Sequence, residues 1–438
     1  MQYDLDNRNT LEEVFVQEGS DWYATFNPDV RRPMSVRQVQ RYSHSSIVCS
    51  VKFSADASLL AVGIKDEVVL YDRPNNLKYS YPIPAPPPAD DGEPKPNHAR
   101  CVAISPDGTL LAAGSEDTYV RLWHIPTGSF LTTLVGHRGE VYGLAFSSTS
   151  PSTSTPSSPS ETTLLSASAD GTIHVWPLAP LYATDTDTGT NADTPSSKDG
   201  IQPLKVLVAP QSAEQRKPPV LTSVSVSPDG ALVVGGSLDN AVRVWDLRSA
   251  GVVAEEGEVA QHPNRLKLNN NNNTSNNNSS SGGSSSAEPG AEAAAVYAAH
   301  FIPSVGGGFG GGSEWDVLSA GTDKALTLWK VSGEAGKIRG EGVKTLRGHR
   351  AAIACASVAL VGRKIYAASG STTGAQTDAP GAEASASVRM WDVKDGKTMF
   401  VLRGHRNTVT SVDLSKDGSL LVTGSGDCDV RVWEYSLS

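Results

Sequence analysis

One phrase, repeated along the chain, limits the fold more than any single residue does. Its fullest copy spans 403–433, RGHRNTVTSVDLSKDGSLLVTGSGDCDVRVW. A Gly-His pair comes first, then an alternating run (Val409, Ser411, Val412, Leu414) and a Ser-Lys-Asp-Gly turn. A second apolar run, a Gly-Asp turn and a third run ending on Trp433 complete it. Alternation at period two between Gly and Asp turns predicts short antiparallel strands. Trp391 and Trp433 lie 42 residues apart, inside the period of about 40–45 residues expected when each copy builds one four-stranded blade of a ring.

Seven copies can be followed. The first runs from His44 through 47–53, 59–63 and 68–71, with Tyr71 where later copies carry Trp. The second covers 100–123, the third 136–176, the fourth 220–246, the fifth 293–329 and the sixth 348–392; the seventh is the opening phrase. Each copy supplies three strands and a fourth toward the next. The last stops soon after its third strand, and an open sheet edge invites association. The alternating segment 35–40 (SVRQVQ) is therefore expected to pair with the last blade. The predicted fold is all-β, a seven-bladed WD40 β-propeller over 34–438, closed by that N-terminal strand. Residues 1–33 read as a polar, irregular extension with an aromatic cluster at Trp22, Tyr23 and Phe26. Low-complexity insertions at 82–96, 147–161, 182–200, 248–292, 303–314 and 371–384 read as loops. Residues 248–292, with an Asn run and a Gly/Ser run, read as disordered.

Composition narrows function. The chain has 37 basic and 47 acidic residues, a net charge of −10, which argues against a phosphate-binding surface. No apolar run approaches the roughly 18 residues that cross a bilayer, and the first residues lack the pattern of a signal peptide. The four cysteines (Cys49, Cys101, Cys355, Cys428) are widely spaced without a CxxC pair. Reduced thiols in an intracellular protein are the expectation.

Gly-His, Asp and Trp recur together within the copies. The pattern predicts a buried hydrogen-bond chain in which Asp accepts from His, and His meets a Ser or Thr near the Trp. His137, Asp170 and Trp176 form one full set, and His405, Asp427 and Trp433 another. The same residue types make catalytic triads. An active site is needed once, however, and a stiffening network is needed in every blade. Repetition favours structure. Ser-Pro-Asp-Gly at 105–108 and 227–230 is hairpin chemistry rather than a cation site. No GxxxxGK[ST], HExxH or GxSxG motif is present, so neither enzymatic activity, nor a cofactor, nor a metal is expected.

Binding is then expected on loops carried by the rigid ring. Aligning the copies by their turns places Cys49, Arg100, Tyr142, Thr222, Tyr297, Ala354 and Thr410 together, where each innermost strand begins. Just before the turn Asp stand Glu116, Ala169, Leu238, Thr322 and Gly426. Both sets are expected around the channel mouth. Tyr and Arg recur in binding hot spots; packing against a neighbouring blade is the alternative for each tyrosine. With Glu116 and Asn407, they read as a peptide-docking rim.

Two stretches carry a more specific resemblance. One is Asp21-Trp22-Tyr23 with Phe26-Asn27-Pro28, followed by His44 and 47–54. The other is Gly404 to Val409 with Gly424 to Cys428 and Arg431 to Tyr435. Together they resemble the Tup-type general transcriptional corepressors of fungi, functional cousins of Groucho proteins. The middle of the chain carries only the generic repeat pattern. The resemblance implies a nuclear propeller whose channel-mouth face docks segments of DNA-bound transcription factors. It implies docking roles for Cys49, Arg100, Cys101, Glu116, Tyr297, Asn407 and Thr408. His98 stands where the family has an aromatic, and the sixth copy lacks the usual turn Asp. Histones, deacetylases and a tetratricopeptide-repeat (TPR-type) corepressor belong to the family's wider set of partners. The family's helical oligomerisation segment and Gln-rich region have no counterpart in these residues, so family-type tetramers and the TPR-type partner lack support here. The rival readings are a substrate receptor of a ubiquitin ligase and a scaffold in an RNA-processing complex. An F-box-like helix or a basic face would favour them, and 1–33 offer no convincing version of either.

Overall fold

The alternating runs become seven antiparallel sheets, each built outward from an innermost strand. The computed structural model describes residues 3–30, 34–84, 97–148, 162–178, 181, 201–210, 218–247, 264–267, 295–303, 314–334, 337–361, 364–373 and 386–437. The innermost strands are Ser50–Phe53, Ala99–Ile104, Val141–Ser148, Leu221–Val226, Val296–Phe301, Ile353–Val361 and Val409–Leu414. Each touches the next around the full circle, and the seventh touches the first. The chain is a seven-bladed propeller.

The first and last parts of the chain share blade seven. Met34–Ser43 pairs antiparallel with Asp429–Leu437, from Met34 opposite Leu437 to Ser43 opposite Asp429. This strand runs beyond 35–40 because the register shifts between Gln38 and Gln40, and a bulge breaks the alternation that marks a strand in sequence. Past the bulge, Asp429 accepts from the Ser43 hydroxyl at 2.6 Å and from Arg41 Nη2 at 2.6 Å.

Two other segments depart from their sequence reading. The irregular extension contains a hairpin, Val16–Glu18 with Tyr23–Phe26, and its second strand pairs with Lys397–Arg403. Blade six therefore has six strands. Strands of three and four residues are too short to show a period, although Ala24, Thr25 and Phe26 are all buried. Within the stretch read as disordered, Asn264–Lys267 forms the outer strand of blade four, paired with Ala241 to Val244. An outer strand is held by backbone bonds, so its polar residues gave no apolar signal. The other insertion residues fall mostly outside the described residues.

The core is divided into seven seams, each shared by two consecutive blades. Trp123, Trp176, Trp245, Trp329, Trp391 and Trp433 each fill the seam before their own blade. In the seam between blades seven and one Tyr71 takes this place, stacked on Tyr42 of the closing strand with ring centroids 3.9 Å apart. The closing strand buries Val36 to 1% exposure in the seam between blades six and seven. Its Arg37–Glu434 pair lies in the open, with side chains 72% and 47% exposed. Burial should therefore outweigh charge at this joint. Val36→Ala is expected to lower unfolding free energy by about 2 kcal/mol, and Arg37→Ala by less than about 1 kcal/mol, measured by urea unfolding followed through tryptophan fluorescence.

Candidate partner-binding site

Two kinds of polar residue crowd the blades, and repetition separates them. In blade three His137 Nε2 meets the Ser166 hydroxyl at 2.7 Å, its Nδ1 meets Asp170 at 3.1 Å, and Trp176 Nε1 donates to Ser166 at 2.8 Å. In blade seven His405 meets Thr423 at 2.8 Å and Asp427 at 3.0 Å, and Trp433 donates to Thr423 at 3.1 Å. Blade six keeps His349, Ser369 and Trp391 in the same chain. Burial alone would raise the Asp170 and Asp427 carboxyls. The histidine and backbone N–H donors around them overcome this and hold both well below the usual carboxylate range. These residues stiffen blades.

The second kind sits at the head of the innermost strands. In blades two to seven the register slips by one residue there, at Arg100, Tyr142, Thr222, Tyr297, Ala354 and Thr410. A bulge re-aims the side chain it carries, so the fold repeats one display position around the ring and varies its residue. Some of these positions lock blades together. Thr222 donates to Val296 O and Thr410 to Val48 O, at 2.7 and 2.6 Å. Others form an unrepeated cluster. Arg100 is ion-paired with Glu116, which also receives the His98 ring at 3.0 Å and the His98 backbone N–H at 3.1 Å. On the next blade, the Tyr142 hydroxyl donates to Glu140 two residues before it. Arg100 lies within electrostatic reach of Cys49, Glu116, Glu140 and Tyr142.

Burial raises the Glu116 carboxyl, but the two His98 hydrogen bonds and Arg100 bring it below its ordinary value. Burial pushes the Cys49 thiol up to about 11 against the pull of Arg100, so it stays a neutral thiol. Burial, with Glu140 holding the phenol proton, pushes Tyr142 up to about 12. The cluster thus offers fixed charges of both signs and a tyrosine ring, with Arg100 one-third exposed (33%) and Glu116 at 19%. Half-buried donors, acceptors and an aromatic face suit a short peptide segment. Among the described residues, no three His, Cys, Asp or Glu side chains gather to hold a metal ion.

Of the residues expected on the rim, Cys49, Arg100, Glu116 and Tyr142 come together on blades one to three. Tyr297 stands apart, half-buried on blade five, with the Thr222 blade between it and Tyr142. Asn407 is exposed on blade seven; its Oδ1 accepts from Thr408 N at 2.7 Å, and Thr408 Oγ1 accepts from Thr373 N of blade six at 3.3 Å. Cys101 requires a correction. It is 6% exposed, and its Sγ lies 3.4 Å from Val141 O of the next blade. Cys355 does the same toward Val409 O at 3.3 Å. This is a repeated seam contact, not a rim position.

Two groups escaped sequence reading. Glu140 lies in a loop, outside the aligned positions. Three residues beyond the strand-entry positions Cys49, Tyr297, Ala354 and Thr410 a second ring includes Lys52, His300, Ser357 and Asp413. Asp413 accepts from Lys52 at 2.7 Å, from the Ser357 hydroxyl at 3.0 Å and from Phe53 N at 3.0 Å. Burial, reinforced by Lys52, pushes His300 down to about 4. Aligning the copies by their bulges would have revealed this ring.

Comparison with known sequences agrees with the repeat reading. The pattern of the WD domain, G-beta repeat, matches residues 95–124, 128–177, 211–246 and 396–434. The chain is 25% identical over 263 residues to the transcription factor unc-37 of Caenorhabditis elegans, covering 59% of this chain and 36% of that protein. It is 29% identical to the general transcriptional corepressor tupA of Dictyostelium discoideum, over 30% of this chain and 22% of the relative. It is also 30% identical to the pre-rRNA-processing protein IPI3 of Mycosarcoma maydis, over 36% of this chain and 24% of the relative. Each match spans well under half of the relative's length. The chain is a WD-repeat propeller related both to transcriptional corepressors and to RNA-processing WD proteins.

The buried network makes stability pH-dependent in one direction. Burial, with His137 adding, pushes His174 down to about 3, and burial with Arg389 and Arg403 holds His349 well below its ordinary value. The unfolded chain therefore binds protons from about pH 6.5 downward where the folded chain does not, and stability falls. The lowered Asp170 and Asp427 act in the same sense, stabilising above about pH 4 and losing that contribution as pH falls through their folded values. Unfolding free energy from urea titrations should decline from pH 7.5 to 5.5 and again toward 3.5. Asp427→Asn should flatten the second decline, and His405→Ala should lower stability at pH 7.5 by about 1–3 kcal/mol.

Proposed function

We propose that this chain is a nuclear corepressor propeller. On this reading it docks short segments of DNA-bound transcription factors at the mouth of its ring and brings repression machinery to them, acting by binding rather than by chemistry. The observation that carries the reading is the unrepeated cluster of Cys49, Arg100, Glu116, Glu140 and Tyr142 on three adjacent blades. A polar, aromatic patch that no other blade duplicates among the described residues is what selective docking needs. Tyr297, Asn407 and Thr408 extend the same face on blades five and seven. The corepressor relatives support the choice of partner class. Histones, deacetylases and a TPR-type corepressor are the further partners this reading brings.

One observation favours a second reading. The pre-rRNA-processing relative is as similar as the corepressors over a comparable share of the chain. An RNA-processing scaffold would use the same ring and need not use the same rim.

Affinity purification from nuclear extract, with mass spectrometry, separates the two. The tagged wild-type chain is expected to retain DNA-binding repressors, and Arg100→Ala, Tyr142→Ala and Tyr297→Ala are each expected to reduce their recovery about tenfold with an unchanged circular-dichroism spectrum. Such a tenfold loss corresponds to about 1.4 kcal/mol. Recovery of ribosome-assembly factors alone, unaffected by these substitutions, would overturn the corepressor reading.

A further inference from the structure

Arg121, Arg243, Arg389 and Arg431 occupy one repeated position, two residues before the blade tryptophan. In blades two and four the arginine finds its carboxylate four residues earlier in its own turn. Arg121 Nη1 donates to Asp117 at 3.2 Å, and Arg243 Nη1 to Asp239 at 2.9 Å. Blade six has Ser385 at that place in the sequence. Its Arg389 is nonetheless buried, 4% exposed, beside Arg403 at 14%. Two buried guanidinium groups side by side require a counter-charge.

The counter-charge comes from the start of the chain. Asp6, itself 6% exposed, receives Arg403 Nη2 at 2.7 Å, Arg350 Nε at 3.3 Å and Arg389 Nη2. Asp4 receives Arg350 Nη2 at 2.8 Å. Between them Leu5 is buried, and its carbonyl accepts from the Thr25 hydroxyl at 2.6 Å. Three arginines thus hold an Asp-Leu-Asp segment in which Asp6 and Leu5 are buried, while Asp4, 45% exposed, rests on Arg350 at the edge. The approach that follows is tied mainly at the surface: the Arg8–Glu18 pair is 49% and 58% exposed, Arg8 lies over the Tyr23 ring at 5.2 Å, and residues 8–15 include two single 3-10 turns. Arg350, 59% exposed, leaves one side of the socket open to water.

We propose that the Arg350–Arg389–Arg403 socket on blade six is a recognition site for acidic peptides of the Asp-apolar-Asp type, and that residues 4–6 are its resident, displaceable occupant. Charge-assisted, multiply donated bonds to carboxylates are the strong kind, and arginine suits them better than lysine. A tethered occupant competes at a local concentration of about millimolar order. An external acidic segment must therefore be abundant or itself tethered nearby to enter. The site lies on a different blade from the Arg100 cluster and does not depend on what that cluster binds.

The test uses the full chain and a fluorescent peptide copying residues 1–12, read by anisotropy. Asp4→Lys with Asp6→Lys should expel the resident segment, and the peptide is expected to bind this variant at least tenfold more tightly than the wild type. A peptide with Asn at both Asp positions is expected to bind neither. In the wild type, several-millimolar peptide is expected to speed hydrogen exchange at residues 4–11 while 16–26 stay protected. No gain in affinity in a folded variant overturns the proposal. If the variant does not fold, unchanged exchange in the wild type overturns it.

Discussion

The pairing of Met34–Ser43 with Asp429–Leu437 is the contact on which the rest depends. Blades one to five are built from neighbouring residues, blade six adds the 16–26 hairpin only to its outer strand, and each seam is shared by only two blades. A ring of such units has no stability as a ring until its ends meet. Before closure, Asp429–Leu437 would present a free edge, and the seams on either side of blade seven would lack Val36, Tyr42 and their contacts. Closure turns a row of marginal sheets into a frame rigid enough to hold loop residues in fixed positions.

That frame explains how structural and functional polar groups share the same blades. The histidine chains of blades three, six and seven recur because each ties the loop entering its blade to that blade's tryptophan. The cysteines at 101 and 355 and the threonines at 222 and 410 recur because each blade must grip the next. What remains after these repeats are set aside is small. Among the described residues it includes the Arg100–Glu116–His98 network with Tyr142 and Glu140, the Asp413–Lys52 pair and the arginine socket of blade six. In each, charged residues find partners that the other blades do not repeat.

Much of this was legible in the sequence, for reasons that individual residues make plain. The number of blades followed from the spacing of turns and tryptophans, and closure from the missing fourth strand of the last copy. The pairing of His405 with Asp427 could be inferred because the same residues recur in blade three. Arg100 and Tyr142 could be aligned to one display position, although sequence alone gave no reason for it to be a bulge. The illegible parts lack a period. Tyr23–Phe26 and Asn264–Lys267 are too short to alternate visibly. Cys101 has the position of a seam residue one step past the bulge, and a one-residue step reverses the side on which a strand residue lies. Asp6 meets Arg389 across 383 positions of chain, a separation at which spacing carries no information.

The central claim is that the mouth of the ring, at blades one to three, is where partners dock. A photo-crosslinking residue placed at Tyr142, compared with one at Phe130 on the exposed outer strand of blade two, tests it most directly. Illumination in nuclear extract should join DNA-binding repressors to the chain from position 142 and not from 130. Crosslinks to such partners from 130 alone, or from neither position while the same partners co-purify, would contradict the account.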